Sequence, residues 1–226
     1  MNSTLFPGLN FVGGNMKSIR FSLLAIPLLV TTSCLIGFMQ MPTALACPCA
    51  EIPKPEAKGP AVDRAAGIKF THTQTYTEEF DKGIASAKAA LREHEEEERV
   101  ALVADIDETI LDNRQEFENH PAFKWSEFAK WIAKADAPLL KPTADLLSWA
   151  RSHGYAVFLI TGRPEEDRAS TIENLVRRGV AYDGLYMRPK GNDGLAEVMK
   201  TAHRKSIEDL GFKIVVNIGD QYSDLY

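Results

Sequence analysis

Three acidic side chains follow an apolar stretch near the middle of the chain. The segment VALVADIDETILDN, residues 100–113, runs from mostly apolar residues directly into Asp105, Asp107 and Glu108. A buried charge without a partner is strongly unfavourable or is lost by protonation. Carboxylates at the end of a buried strand therefore indicate a site that needs them.

Polar side chains also follow two other apolar stretches. YAVFLITGR, residues 155–163, ends with Thr161 and Arg163, and KIVVNIG, residues 213–219, is followed by Asp220 and Asp224. Any one of these acids alone would more often be a helix cap or a turn residue. Because ligands of open parallel sheets bind at the carboxyl ends of the strands, we expect these side chains to converge in one crevice.

Converging carboxylates of this kind suit phosphoryl transfer. They repel one another unless a cation holds them, and oxygen ligands without His or Cys suit Mg²⁺. Of two carboxylates one residue apart, the first can attack phosphorus, while the second protonates the leaving alkoxide and later deprotonates water. The Thr161 hydroxyl can donate to a phosphoryl oxygen, and a lysine would neutralise charge that the metal does not reach.

The elements around these stretches alternate between helix and strand. Apolar residues spaced three and four apart predict a helix over residues 75–98, and the apolar run 100–106 predicts a strand buried on both faces. Further helices are predicted over 142–154, 164–179 and 200–211, and further strands over 155–163, 184–188 and 213–219. This order is typical of an α/β fold with a doubly wound parallel sheet.

An aromatic insertion lies between the first strand and the next regular helix, at about residues 114–141. It is too long for a plain connection. Its aromatic residues form the small core of the insertion itself, or they belong to a cap that stacks against the organic part of a substrate; they are Phe117, Phe123, Trp125, Phe128 and Trp131.

The first 46 residues have the pattern of an export signal. Lys17 and Arg20 precede the uncharged run 21–41, and ALA at 44–46 is the small-x-small pattern of a signal-peptidase site. Met16 would give a more usual start than Met1. The alternative is an uncleaved membrane anchor, because the uncharged run is about long enough to span a bilayer. We expect an exported protein of the periplasm, the cell envelope or the secreted fraction.

Residues 47–70 are interpreted as a linker, since CPCAEIPKPEAKGP is rich in Pro and polar residues. Cys47 would open the mature chain, where it is either a lipidation site or, like Cys49, an unpaired or inter-chain thiol in a flexible tail. Membrane association is expected only through an uncleaved or lipidated N-terminus.

The remaining residues, 71–226, are expected to form one domain. A chain of 226 residues that is 45% hydrophobic and 25% charged can bury one sizeable core. The formal net charge of -5 argues against a nucleic-acid polymer as partner, because neutralising its phosphates requires a basic face. A small anion can still bind locally.

Five segments in this order resemble a known family: DIDETILDN, FLITGRPEEDRASTIENL, DGLYMRP, KTAHRKSIE and NIGDQYSDL. The chain is similar, from about residue 75 to its end, to the haloacid dehalogenase (HAD) superfamily. The resemblance is closest to its subfamily IIIB acid phosphatases, with bacterial class B and class C acid phosphatases and plant vegetative storage proteins as relatives. It implies a HAD-like, Rossmannoid sheet with a small helical cap.

The resemblance also implies roles for particular residues. Asp105 corresponds to the nucleophile and Asp107 to the general acid/base, while Thr161 and Gly162 correspond to the phosphate-binding segment. Lys200 is our choice for the family's phosphate-binding lysine, because it would begin the last helix and face the anion with the N-terminus of that helix.

Other lysines remain alternatives for this role, namely Lys205 and Lys190. The metal ligands implied for Mg²⁺ are Asp105, the main-chain carbonyl of Asp107, and Asp220. Asp224 would support the metal directly or through water. A carboxylate at Asp107 favours a phosphatase or phosphomutase, since dehalogenases and ion-pumping ATPases of the superfamily lack it.

The function expected from the resemblance is that of an exported, Mg²⁺-dependent acid phosphatase acting on small phosphomonoesters such as 5'-nucleotides. A protein phosphatase of the DxDET type is one alternative, and a non-catalytic storage or binding protein of the same fold is another. Relatives usually continue beyond GDQYSDL with a further strand and helix. We therefore expect either a fragment or a domain of marginal stability, with C-terminal elements missing.

Overall fold

A parallel sheet of four strands forms the centre of the fold. The computed structural model describes residues 64–225, and its strands are β1 (Val100–Ala104), β2 (Ala156–Pro164), β3 (Gly184–Arg188) and β4 (Lys213–Ile218). They are all parallel and lie in the order β3-β2-β1-β4. The α/β prediction is confirmed. The predicted signal segment and the predicted linker up to residue 63 lie outside the described residues.

Seven helices accompany the sheet in the described range. They are α1 (Arg64–Thr71), α2 (Gln74–Arg92), α3 (Arg114–Asn119), α4 (Trp125–Ala133), α5 (Lys141–Ser152), α6 (Arg168–Arg177) and α7 (Ala196–Asp209). Two short 3₁₀ turns, Glu165–Asp167 and Tyr222–Asp224, follow β2 and β4. None of the helices between residues 64 and 225 has the length and apolar character that crossing a membrane requires.

The helices cover the two faces of the sheet unequally. On one face the larger core combines side chains of β1, β2 and β4 with residues of α2, α4, α5 and α6, for example Leu91, Ile132, Leu147 and Leu175. On the other face a smaller core contains Ala101, Val103, Phe158 and Ile160, and Ile207 of α7 is its helical member. Within the described residues, α7 is therefore the helix that covers this second face.

Three element boundaries differ from the sequence prediction. Helix α2 ends at Arg92 rather than at residue 98, because four consecutive glutamates repel one another and Arg99 has a positive φ of 58°. Residues 64–70, assigned to the linker by composition, form most of α1. Helix α7 begins at Ala196, so Lys200 lies in its second turn and does not open the helix.

The insertion after β1 contains α3 and α4, and its aromatic rings pack mainly against one another. Phe128 is the centre of this cluster, with ring centroids 5.6 Å from Phe117, 5.7 Å from Phe123 and 5.8 Å from Trp125. Phe128 and Trp131 also belong to the larger core of the sheet, and Phe117 packs against it, so these rings do not form a separate core of the insertion as one of the two options expected. Trp131 instead donates a hydrogen bond to Asn113, which lies between β1 and α3.

Candidate active site

Asp105 lies directly after β1, where three strands end at the same edge of the sheet. Ala104 pairs with Leu159 of β2 and with Ile218 of β4, and the backbone N–H of Asp105 donates to the carbonyl of Ile218 at 2.9 Å. This register brings the residues that follow the three strands close together. Four of the predicted site residues meet here, namely Asp105, Lys200, Asp220 and Asp224.

The ammonium group of Lys200 bridges two of these carboxylates. Its Nζ donates to Oδ1 of Asp105 at 2.9 Å and also to Oδ1 of Asp224. All three side chains are almost completely buried. The two other lysine candidates differ, because Lys205 is exposed and pairs with Asp209 at 3.0 Å, and Lys190 is exposed as well. Lys200 is the candidate lysine that contacts the site.

Asp105, Asp220 and Asp224 can share one cation. Each offers a carboxylate oxygen, and these three atoms lie within 4.8 Å of one another. Three carboxylates beside one lysine leave an excess of negative charge, and a hard divalent cation such as Mg²⁺ prefers oxygen ligands of this kind. The donor set therefore fits the metal that the sequence predicted. The side chain of Asp107 is not part of this group, and its expected role through the main-chain carbonyl remains a prediction.

The burial of these acids changes their protonation. Burial raises the pKa of Asp220 to about 7, and the charge of Asp224 adds to the shift. Burial also raises the pKa of Asp105 well above its ordinary value, although Lys200 opposes this effect. For Lys200, burial alone would lower the pKa, but the charges of Asp105 and Asp224 outweigh burial and raise it. The positive charge of Lys200 and the negative charges of Asp105 and Asp224 therefore stabilise one another inside the site.

The turn after β4 is shaped around Asp224. Its Oδ2 accepts a hydrogen bond from the backbone N–H of Gln221 at 2.9 Å, and a Cβ atom at Gly219 would overlap the Asp224 carboxyl group. Arg204 of α7 donates to the carbonyls of Ser223 and Asp224 at 3.2 and 3.1 Å. The position of Asp224 therefore requires glycine at position 219 and the contact with Arg204 of α7.

Asp107 is held by an arginine. Arg163, which follows Thr161 and Gly162 in β2, donates from Nε to both carboxylate oxygens of Asp107 at 3.1 Å and from Nη2 to Oδ1 at 2.7 Å. Its side chain is 1% exposed, and Nη1 also donates to the Thr171 hydroxyl of α6 at 3.2 Å. Paired, planar hydrogen bonds of this kind fix the orientation of a carboxylate.

Asn113 and Trp131 also contribute to the surroundings of Asp107. Asn113 donates from Nδ2 to Oδ1 of Asp107 at 2.9 Å, and Nε1 of Trp131 donates to Oδ1 of Asn113 at 2.8 Å. The backbone N–H of Asn113 donates to Glu108 at 3.0 Å. Burial, and then the charge of Asp107, raises the pKa of Glu108 well above its ordinary value.

The Thr161–Gly162 segment lies at the end of β2, on the strand adjacent to β1. The Thr161 hydroxyl accepts a hydrogen bond from the backbone N–H of Arg163 at 3.1 Å, and a hydroxyl that accepts can still donate its own hydrogen. The carbonyl of Gly162 accepts from Nε of Arg188 at 3.3 Å. The phosphate-binding role of this segment remains a prediction.

The partners of Asp107 are not apparent from the sequence patterns. The pattern identifies Arg163 as a strand-end residue without a role, although its place two residues after Thr161 puts it on the same side of β2. Asn113 and Trp131 are six and twenty-four residues after Asp107, and no spacing rule connects a turn residue with the face of a helix in an insertion. Only the fold brings these side chains together.

Solved structures with the same fold include an acid phosphatase. The class C acid phosphatase from Bacillus anthracis, also solved with tungstate bound, superposes with a TM-score of 0.60, covering 72% of this chain and 70% of that chain at 23% identity. This likeness establishes the class of fold, a parallel sheet with flanking helices.

The sequence comparison then gives the family. Residues 56–226 match the model of the HAD superfamily, subfamily IIIB (acid phosphatase), and the chain belongs to this family. It is 36% identical over 133 residues to acid phosphatase 1 of Solanum lycopersicum, which covers 56% of this chain and 52% of the relative. It is 29% identical over 133 residues to vegetative storage protein 1 of Arabidopsis thaliana, covering 54% of this chain and 48% of the relative.

A third relative is the stem 28 kDa glycoprotein of Glycine max, 26% identical over 164 residues, which covers 70% of this chain and 65% of the relative. The chain thus spans about half to two thirds of the length of these relatives. The family resemblance that the five sequence segments predicted is confirmed.

Proposed function

We propose that the chain is a Mg²⁺-dependent acid phosphatase that hydrolyses phosphomonoesters through an aspartyl-phosphate intermediate. The observation that carries this proposal is the position of Asp105, which is buried against Lys200 beside Asp220 and Asp224. Asp107, which lies two residues after Asp105 in the chain, is oriented by Arg163. Family membership and the similarity to a tomato acid phosphatase support the same reaction.

In the first half of the reaction Asp105 attacks the phosphorus atom of the ester. A bond forms between a carboxylate oxygen and phosphorus, and the bond between phosphorus and the ester oxygen breaks. Asp107 gives its proton to that oxygen, so the product leaves as an alcohol rather than as an alkoxide. Lys200 and the Thr161 hydroxyl stabilise the charge on the phosphoryl oxygens.

In the second half water attacks the aspartyl phosphate. Asp107, now a carboxylate, takes a proton from the water as its oxygen bonds to phosphorus, and the bond to Asp105 breaks. Free phosphate and the original carboxylate of Asp105 result. When bound by Asp105, Asp220 and the main-chain carbonyl of Asp107, with Asp224 in support, Mg²⁺ would supply neutralising charge for the phosphoryl group.

We include 5'-nucleotides among the candidate substrates. Phe123 and Trp125 of the insertion are 40% and 44% exposed, and an exposed aromatic ring can stack against a nucleobase. Hydrolysis of 5'-AMP compared with that of a phosphopeptide would separate this proposal from the protein-phosphatase alternative. Faster turnover of the phosphopeptide would favour that alternative.

The experiment that tests the function is hydrolysis of p-nitrophenyl phosphate by the purified, metal-stripped chain, with and without added Mg²⁺. Turnover that requires Mg²⁺ and disappears in Asp105→Asn is the expected result. The matched control is Asp145→Asn on the exposed surface of α5, which should retain activity. Hydrolysis by folded Asp105→Asn at the unsubstituted rate would contradict the proposed nucleophile.

A second candidate is a storage or binding protein without turnover. The similarity to vegetative storage protein 1 of Arabidopsis thaliana favours this alternative. The presence of Asp105, Asp107 and Lys200 counts against it. A folded chain that binds phosphate but hydrolyses none of the substrates would favour storage or binding.

We also propose that the protein is exported to the periplasm, the cell envelope or the medium. The support is the pattern of residues 1–46, with Lys17 and Arg20 before an uncharged run and ALA at 44–46. N-terminal sequencing of the chain recovered from an envelope or secreted fraction should begin at Cys47. A blocked, lipid-modified Cys47 would identify a lipoprotein, and an intact N-terminus would favour an anchor.

A further inference from the structure

Asp107 is connected to the insertion by two consecutive hydrogen bonds. Trp131 of α4 donates from its indole Nε1 to Oδ1 of Asn113 at 2.8 Å, and Asn113 donates from Nδ2 to Oδ1 of Asp107 at 2.9 Å. Asn113 is completely buried, and Trp131 is 9% exposed. The bond between Trp131 and Asn113 therefore lies in the protein interior, where water does not compete for it, whereas the Asp107 side chain is 20% exposed.

The indole group determines which way the Asn113 amide faces. An indole N–H can only donate a hydrogen bond, so it must face the oxygen of the amide. The NH₂ group of Asn113 then faces Asp107, whose carboxylate can accept it. Without the indole N–H, the buried Oδ1 would have no partner, and a flip of the amide would turn that oxygen towards the Asp107 carboxylate.

We propose that Trp131 is a positioning residue for Asp107 and that it acts through Asn113. This inference rests on the proposed function, in which Asp107 protonates the leaving oxygen. Arg163 holds the same carboxylate from β2 through both oxygens, whereas Asn113 contacts Oδ1 alone. Through Trp131, the insertion thereby helps to orient the acid that protonates the leaving oxygen, in addition to any contact it makes with the substrate.

The expected consequence is a dependence on the leaving group. p-Nitrophenolate is a stable anion and leaves with little help from an acid, whereas an alkoxide needs its proton. Displacing Asp107 should therefore slow alkyl phosphates more than p-nitrophenyl phosphate. The quantity to compare is kcat/KM, because it reports the formation of the aspartyl phosphate and excludes the second half of the reaction, which all substrates share.

The test compares Trp131→Phe with the unsubstituted full chain on p-nitrophenyl phosphate and glycerol 2-phosphate. Phe keeps an aromatic ring in the core and removes the indole N–H donor together with the second ring. Since general acid/base groups contribute about 10²–10⁴ in rate, we expect a partial loss, on the order of tenfold, on glycerol 2-phosphate and a clearly smaller loss on p-nitrophenyl phosphate. The thermal shift caused by Mg²⁺ should remain unchanged.

The matched control is Trp149→Phe. Trp149 of α5 packs against His153 and Tyr155 just before β2 begins, at the opposite end of the strands from Asp105. A second variant, Asn113→Leu, removes the link to Asp107 itself. The double variant combines Trp131→Phe with Asn113→Leu. Because Trp131 acts through Asn113, the double variant should be no slower on glycerol 2-phosphate than Asn113→Leu alone.

The outcomes separate this inference from the proposed function. An equal loss on both substrates in a folded Trp131→Phe protein, or strictly additive losses in the double variant, would overturn the positioning role while leaving the phosphatase intact. Absence of turnover by the unsubstituted chain on either substrate would overturn the proposed function and this inference with it. A leaving-group-dependent, non-additive loss would establish the role.

Discussion

Nζ of Lys200 donates a hydrogen bond of 2.9 Å to Oδ1 of Asp105, the carboxylate that directly follows the central strand β1. The same ammonium group also contacts Asp224, and the three side chains are almost completely buried. One cation therefore neutralises two acids that come from the ends of different strands. In the proposed reaction Lys200 is already next to the atom that attacks phosphorus.

Replacing Lys200 should therefore abolish most of the activity. Lys200→Met keeps most of the length of the side chain but removes the charge, and loss of one group that stabilises the transition state typically costs about 10²–10³ in kcat. The matched control is Lys205→Met, since Lys205 is exposed on the same helix and its pair with Asp209 is a surface ion pair of small worth. Steady-state kinetics on p-nitrophenyl phosphate measures both. Equal activity in the two variants would exclude Lys200 from the reaction.

Replacing Asp220 should raise the stability of the metal-free protein and lower its affinity for Mg²⁺. Asp220→Asn removes one of three converging carboxylates, so the metal-free protein should become more stable because repulsion is relieved. Its affinity for Mg²⁺ should fall at least about tenfold, since loss even of outer partners of a metal has effects of that size. Thermal unfolding over a Mg²⁺ titration reports both quantities.

The control for this experiment is Asp209→Asn, because Asp209 is exposed at the end of α7. That variant should unfold and respond to Mg²⁺ as the unsubstituted chain does. An unchanged Mg²⁺ affinity in Asp220→Asn would remove Asp220 from the set of ligands.

Arg163 should be important for stability as well as for the orientation of Asp107. Arg163→Gln leaves the Asp107 carboxylate without its main partner, and breaking a buried ion pair costs about 3–5 kcal/mol. Because the Asp107 side chain is 20% exposed, we expect a value near the lower end of that range. Arg177→Gln, which removes an exposed i,i+4 ion pair on α6, is the matched control. Urea unfolding that gives the same free energy for both variants would contradict this prediction.

His203 should make the folded state less stable in acid. Burial lowers the pKa of His203 below its ordinary value of 6.5, while the carbonyl of Met187 and the charge of Glu165 oppose the shift. Below pH 6.5 the unfolded chain therefore binds a proton that the folded chain does not, so this contribution to stability falls as the pH decreases towards the lowered pKa.

The measurement is the free energy of unfolding in urea at about pH 7.5 and about pH 5, a window that spans the titration of histidine. The decrease between the two values should be smaller for His203→Gln than for the unsubstituted chain. Exposed His153 at the end of α5 provides the control, and His153→Gln should behave as the unsubstituted chain. A decrease that is the same in all three proteins would rule out a contribution from His203.

The strand-end acids could be predicted from the sequence because two simple patterns place them. A continuous apolar run identifies a buried strand, and the residue after it lies at the ligand-binding edge of a parallel sheet. These patterns predict the position of Asp105, Asp220 and Asp224, whereas the choice of Lys200 over Lys205 and Lys190 rests on the family resemblance and on an expected helix N-terminus. That expectation puts Lys200 at the start of α7, however, because the apolar period does not reveal the additional turn from Ala196.

The environment of Asp107 could not be predicted in the same way. Arg163 and Asn113 donate hydrogen bonds to Asp107 although neither is its neighbour in the sequence. Trp131 belongs to the insertion, and the sequence alone does not distinguish it from the other aromatic residues there, which are all candidates for a core. Three of the rings pack around Phe128, whereas Trp131 donates a hydrogen bond elsewhere. The distinction depends on which face of α4 meets the turn after β1, and that requires the tertiary structure.

Within residues 64–225 one helix covers the second face of the sheet, and this weakly covered face coincides with the candidate active site. Helix α7 covers that face through Ile207, carries Lys200 into the site and fastens the Asp224 turn through Arg204. The opposite face is held by four helices, so partial denaturation should release α7 before the rest of the molecule. Heat or mild denaturant should then displace Lys200 from the candidate site and abolish the proposed activity while most of the secondary structure persists.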